Sequence, residues 1–90
     1  MDTKRLDGQK ALVTGAGAGI GRAIALALGA AGAAVAVNYR GSRAGADEAV
    51  DRIAAAGGDA FAIQADITEE HAVEAMFAAA RERFGTLDIL

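Results

Sequence analysis

Cysteine, proline and tryptophan are absent from the 90 residues. Without cysteine there is no disulfide framework, no thiolate zinc site and no thiol nucleophile. A single histidine, His71, leaves no histidine-rich metal cluster. A basic stripe is also missing. Nine Lys/Arg stand against twelve Asp/Glu, a net charge of −3, which argues against nucleic acid binding by phosphate neutralisation. The long apolar run, residues 23–37, has 15 residues. That is short of the roughly 18–20 needed to span a bilayer, and extending it backwards meets Arg22, which is costly in lipid. A secretory leader fits no better. Lys4, Arg5 and Lys10 precede small apolar residues, but Asp2 and Asp7 dilute the basic region and Arg22 splits the apolar one. The expectation is a cytoplasmic protein without membrane or nucleic acid partners.

What is present fits one small domain. Apolar residues make up 53% of the chain, but 25 of those 48 residues are alanine. A core built from the remaining 23 is adequate but thin. The absence of proline and the 12 glycines concentrate backbone freedom at particular places.

Asp7-Gly8 signals a turn, and from Lys10 the stretch ALVTG reads as a short buried strand running into glycines. Ile20, Ile24, Leu28 and Ala31 recur at helical spacing, predicting a helix over 20–31 closed by Gly32. Gly29 inside it costs roughly 1 kcal/mol relative to alanine, and the sequence gives no reason for it. Residues 33–39 form a nearly continuous apolar strand, the pattern of a strand buried on both faces. Arg40-Gly41-Ser42 is a loop with Ser42 as N-cap. A helix over 43–56 follows, with Ala46, Ala49, Val50 and Ile53 on one face, stopped by Gly57-Gly58. Residues 60–66 read as a third strand. Thr68 is the expected N-cap of a third helix, with Glu69 and Glu70 in its first turn. Val73, Met76, Phe77, Ala80 and Phe84 form its stripe and Gly85 its end. Leu87–Leu90 begins a fourth strand. The order β-α-β-α-β-α-β implies parallel pairing through crossover helices, an α/β chain forming half of a doubly wound sheet. Such sheets bind ligands beyond the carboxyl ends of their strands.

Thr14-Gly15-Ala16-Gly17-Ala18-Gly19-Ile20-Gly21 lies at that end of the first strand. A turn without β-carbons lets backbone N–H groups approach an anion, and the following helix presents its positive end; a pyrophosphate is the natural ligand. GxGxxG fails in every register, because Ile20, Arg22 and Ile24 stand where a third glycine is required. The Walker loop fails for want of Gly-Lys-Ser/Thr. The rival reading is a flexible Gly/Ala linker, but a strand precedes the run and a helix follows it.

The pattern Gly15-x-x-x-Gly19-x-Gly21 after Thr14 resembles the TGxxxGxG cofactor motif of the short-chain dehydrogenase/reductase family. Asp66-Ile67-Thr68 resembles that family's Asp-Val/Ile-Thr element, and Gly85–Leu90 the segment entering its fourth strand. The resemblance covers essentially the whole chain. Within the family it is most like the 3-oxoacyl-carrier-protein reductase and glucose dehydrogenase branches, where NYRGS-like loops are common. The fold so implied is a partial Rossmann-type, NAD(P)-binding domain over residues 1–90. Gly15, Gly19 and Gly21 would shape the turn, with Ala18 and Ile20 near the pyrophosphate. Asp66 would accept a hydrogen bond from the adenine amino group, and Ile67 would pack by the ring. A helix-capping role for Asp66 with Thr68 is compatible with this.

An NAD enzyme places a carboxylate at the end of the second strand for the ribose 2′-OH. That place falls near Tyr39, and no acid occurs between Gly8 and Asp47. Arg40 follows immediately, and a guanidinium grips a phosphate by two hydrogen bonds. Ser42 adds a hydroxyl and Asn38 an amide. The expected cofactor is NADP(H) rather than NAD(H); the alternative leaves Arg40 as a solvated loop charge. The expected activity is hydride transfer between nicotinamide and a carbonyl or alcohol substrate. By resemblance, the catalytic Ser, Tyr and Lys and an Asn after the fourth strand lie beyond residue 90, so this stretch holds no catalytic residue and is expected to be inactive alone. Tyr39-x-x-x-Arg43 has the wrong strand and the wrong cation for that pair. His71, Asp47-Glu48 and Glu69-Glu70 read as solvated faces. A fourth strand that should be central would here be an exposed edge, so the sequence is expected to be part of a longer chain, a homo-oligomer when intact. A stand-alone nucleotide-binding module without catalysis is the alternative; an alanine-rich helical interaction protein leaves the glycine turn unexplained.

Overall fold

A computed structural model describes residues 6–88. Three parallel strands form one sheet: β1 (Lys10–Val13), β2 (Ala34–Tyr39) and β3 (Ala60–Gln64), with β2 in the middle. The register pairs Val13 with Val37 and Asn38 with Ile63. Three helices alternate with the strands: α1 (Gly19–Ala30), α2 (Arg43–Ala55) and α3 (Glu70–Phe84). The chain is thus α/β with a Rossmann-like parallel sheet, as the alternating pattern predicts.

The strand period of two sorts side chains onto two faces. Ala11, Val13, Val35, Val37 and Tyr39 join Ala25 of α1 and Ala46, Ala49 and Ile53 of α2 in one core. Leu12 and Ala36 join Met76 and Ala80 of α3 in the other. All six residues of β2 are buried, as its continuous apolar run requires. The edge strand β3 is only partly covered. Phe61 of β3 packs edge-on to Phe84 at 5.2 Å, with the Arg83 guanidinium 4.7 Å from the Phe61 ring centre.

The segment after α3 crosses to the free side of β1. The Asp88 amide donates to the Lys10 carbonyl at 2.8 Å, and the Lys10 amide donates to Asp88 Oδ2 at 2.9 Å. With α1 and α2 on one face and α3 on the other, the chain runs from β1 outward to β3 across one face and returns across the other to the free side of β1. The carboxyl end of β1 is therefore the crevice of a doubly wound sheet. Ile89 and Leu90 of the expected fourth strand lie outside the described residues.

Two local expectations are corrected. Thr68 does not cap α3; Glu69 occupies that position, without a side-chain cap. The Thr68 amide and hydroxyl instead bond back to Asp66 Oδ1 at 2.9 and 2.6 Å, a local turn that competes with helix capping. The third strand stops at Gln64 rather than 66: the Ala65 amide still donates to the Tyr39 carbonyl at 3.0 Å, but the Asp66 carboxylate is taken into the turn with Thr68. Gly29 gains its explanation: a β-carbon there would lie 2.8 Å from Ile53 Cγ1, so the glycine lets α1 approach α2.

Candidate functional site

The strand β1 ends at Val13, and Thr14–Ala18 turn the chain into α1. Gly15 (φ 62°) and Gly19 (φ 59°) occupy the left-handed region, where a β-carbon is strained. A side chain on Gly21 would run into the Gly15 carbonyl. These three glycines therefore shape the turn as the sequence implies.

Hydrogen bonding divides the turn in two. The Gly15 amide donates to Asn38 Oδ1 at 3.0 Å, and the Ala16 amide to the Asn38 carbonyl at 2.7 Å. The amides of Gly17, Ala18, Gly19, Ile20 and Gly21 have no acceptor among the described residues. Ala18 is the α1 N-cap and offers no side-chain cap. Five unpartnered N–H groups at the positive end of a helix have the chemistry to hold an anion. Ile20 stands 80% exposed beside them, an apolar side chain open to solvent.

Next to the turn lies the loop after β2. A cleft of about 200 Å³ runs between them, lined by Gly15, Gly17, Ala18, Tyr39, Arg40, Gly41 and Ser42. Tyr39 is buried beneath it. The Arg40 side chain is 74% exposed, with Nη2 3.4 Å from Asp66 Oδ2. Ser42 is the α2 N-cap as expected, yet its hydroxyl makes no capping bond. A second hollow, of about 240 Å³, is lined by Leu26, Ala30, Arg52, Ile53 and Ala56. It lies at the opposite ends of α1 and α2 and lacks such a donor array.

Asp66 brings the end of β3 to the same rim. The hydroxyl and amide of Thr68, then the Arg40 guanidinium, hold its carboxyl below the ordinary aspartate range, against partial burial. Ile67 beside it is 52% exposed.

Asn38 is the site residue whose placement differs from expectation. It is 2% exposed, and its amide nitrogen donates to the Ile63 and Ala65 carbonyls at 3.2 and 3.3 Å. Its polar atoms are committed inside the protein, so it has no amide to offer a phosphate in the cleft. The sequence reading also missed Gly17 and Gly45. A β-carbon on Gly45 would collide with the Gly17 carbonyl, and one on Gly17 would lie 2.9 Å from Ser42 Cβ. This contact seats the turn on the first turn of α2. A glycine inside an otherwise regular helix was the available signal. Among the described residues no group of three or more His, Asp or Glu is placed to hold a metal. His71 is fully exposed, 3.9 Å from Glu74.

The family model for short chain dehydrogenases matches residues 9–90. Versicolorin reductase of Emericella nidulans is 55% identical over 89 residues, which are 99% of this chain and 34% of that protein. A short chain dehydrogenase from Burkholderia cenocepacia, solved in complex with NADP, is 46% identical with a TM-score of 0.91, over 94% of this chain and 35% of that one. A 7α-hydroxysteroid dehydrogenase, solved with NADH and 7-oxo glycochenodeoxycholic acid, is 43% identical with a TM-score of 0.90, over 98% of this chain and 34% of that one. The chain spans about a third of the length of the curated relatives first matched. With the family model matching almost its whole length, and with a glycine turn that displays its backbone donors at the head of α1, the chain belongs to the short-chain dehydrogenase family.

Proposed function

We propose that residues 1–90 are the cofactor-binding part of an NADP(H)-dependent oxidoreductase that moves a hydride between nicotinamide and a carbonyl or alcohol. The observation that carries this is the set of five free amides between Gly17 and Gly21, which fits a pyrophosphate. Gly15, Gly19 and Gly21 shape that cradle, and Ala18 and Ile20 line it. The bound cofactor supplies the hydride-carrying ring. The chain's own residues bind and orient it: Asp66 accepts from the adenine amino group, and Ile67 packs by the ring.

The cofactor choice rests on Arg40. Relatives have been solved with NADP and with NADH, so the preference must come from this chain's residues. No carboxylate lies between Gly8 and Asp47 to take a ribose 2′-OH. The exposed Arg40 guanidinium, the unbonded Ser42 hydroxyl and the Tyr39 end of β2 instead frame a place for a 2′-phosphate. We assign no catalytic residue to these 90 positions. We further propose a cytoplasmic homo-oligomer whose substrate is a small molecule; no helix among the described residues is long and apolar enough to cross a membrane.

The test is Arg40→Ala in the full-length protein, with Kd for NADPH and NADH from isothermal titration. Hydrogen bonds to a charged group contribute about 1.5–3 kcal/mol, so NADPH affinity should fall roughly ten- to hundredfold while NADH affinity holds. Equal losses for both cofactors would remove the phosphate role.

A further inference from the structure

The glycine turn and the adenine-side loop come from different strands, β1 and β3, which do not touch each other in the sheet. Any dinucleotide that spans them needs the two held at a fixed separation. One side chain bonds to both. Asn38 Oδ1 accepts the Gly15 amide at 3.0 Å. Asn38 Nδ2 donates at 3.2 Å to Ile63 and at 3.3 Å to Ala65, the residue before Asp66. The backbone repeats the link: the Asn38 carbonyl accepts the Ala16 amide at 2.7 Å, and the Ala65 amide donates to the Tyr39 carbonyl at 3.0 Å.

Asn38 stands one residue past the last rung that joins β2 to β1, the pair Val13–Val37. There β1 has already left the sheet for the turn. An amide is the one neutral side chain of this length with an acceptor on one arm and two donors on the other. Aspartate would set a carboxylate against two carbonyls, and leucine would leave the Gly15 amide without its partner. At 2% exposure water does not replace these bonds.

We propose that Asn38 is a positioning residue that couples the phosphate-facing turn to the adenine-facing loop and so sets the span of the cofactor site. Because it takes up the Gly15 amide, it also fixes which amides face the ligand: those from Gly17 onwards. This rests on the reading of the turn as a dinucleotide site. Its consequence is specific. A ligand that touches both subsites depends on Asn38, and a ligand that touches only the adenine end does not.

The experiment uses Asn38→Asp and Asn38→Leu in the full-length protein, with Kd for NADPH and for 2′-AMP, a probe confined to the adenine end. The expected result is a rise of about tenfold or more in the NADPH Kd, the scale of coupling between groups in one network, with the 2′-AMP Kd changed less than about threefold. Unchanged NADPH binding in a folded variant overturns the proposal, and so does a parallel loss for both ligands. Should both variants fail to fold, amide hydrogen exchange on the wild type decides. A protected Gly15 amide in the cofactor-free protein upholds the link, and free exchange there overturns it. A wild type that binds neither NADPH nor NADH contradicts the proposed function itself, and the inference falls with it.

Discussion

The two faces of the sheet are packed differently. The face under α3 is filled by volume: Leu12 and Met76 are fully buried, with Phe61, Phe77 and Phe84 packed around them. The face under α1 and α2 is filled by closeness. Its buried residues include Ala11, Ala16, Ala25, Ala33, Ala46 and Ala49, and glycines bring backbones together at Gly17–Gly45 and at Gly29–Ile53. The first face should lose stability when bulk is removed; the second, which also buries Val35, Val37 and Ile53, should in addition lose it when bulk is added at Gly17, Gly29 or Gly45. The candidate site grows from the second. Small residues let the turn, β2 and the start of α2 converge, so their polar backbone groups and Arg40 line one cleft.

The largest effect should come from Met76→Ala. A buried methionine cut to alanine costs about 2–5 kcal/mol, and urea denaturation should show that loss. The folded fraction should keep its cofactor Kd, since Met76 packs under the sheet on the α3 side and does not line the cleft. A changed Kd would break the separation of the two faces.

Gly45→Ala tests the other face by sign. Helix propensity alone favours alanine over glycine by roughly 0.8–1 kcal/mol. The collision with the Gly17 carbonyl reverses this, with an expected net loss of about 1–3 kcal/mol and weaker cofactor binding as the turn is displaced. A stabilised variant with unchanged binding would show that the close approach does not matter.

The smallest effect belongs to Asp66. Its carboxyl is held below the ordinary aspartate range by Thr68 and then Arg40. A lowered folded-state value gives stability that is present above the unfolded aspartate range, near pH 4. That stability is lost as the pH falls through the folded value. In Thr68→Val the Asp66 carboxyl should titrate at higher pH, read by carboxyl chemical shifts, and the loss of stability below about pH 4 should become shallower. An unchanged Asp66 titration would mean that the Thr68 hydroxyl does not hold the carboxylate.

Most of the fold was legible because period and punctuation agree. The apolar run of β2, the glycines after each helix and the stripe on α3 each point to one answer. The glycine turn was legible for the same reason, lying between a clear strand and a clear helix. Asn38 was misread because sequence shows that an amide is near the cleft but not which way a strand residue faces. Thr68 was misplaced because a threonine two residues after an aspartate has two local uses, and the hydrogen bonds to Asp66 prevailed over helix capping. Gly45 and Gly29 owe their role to a neighbour far along the chain. A glycine's cost in a helix is visible in sequence, but the backbone or side chain it makes room for is not.

The account rests on the amides of Gly17 to Gly21 as the place where a dinucleotide's pyrophosphate binds. The direct measurement is an amide ¹H–¹⁵N titration of the full-length protein with NADPH. Saturable shifts concentrated on those five amides, with Gly15 moving less because Asn38 already holds it, are the predicted result. Saturable shifts that leave Gly17 to Gly21 unmoved would contradict it.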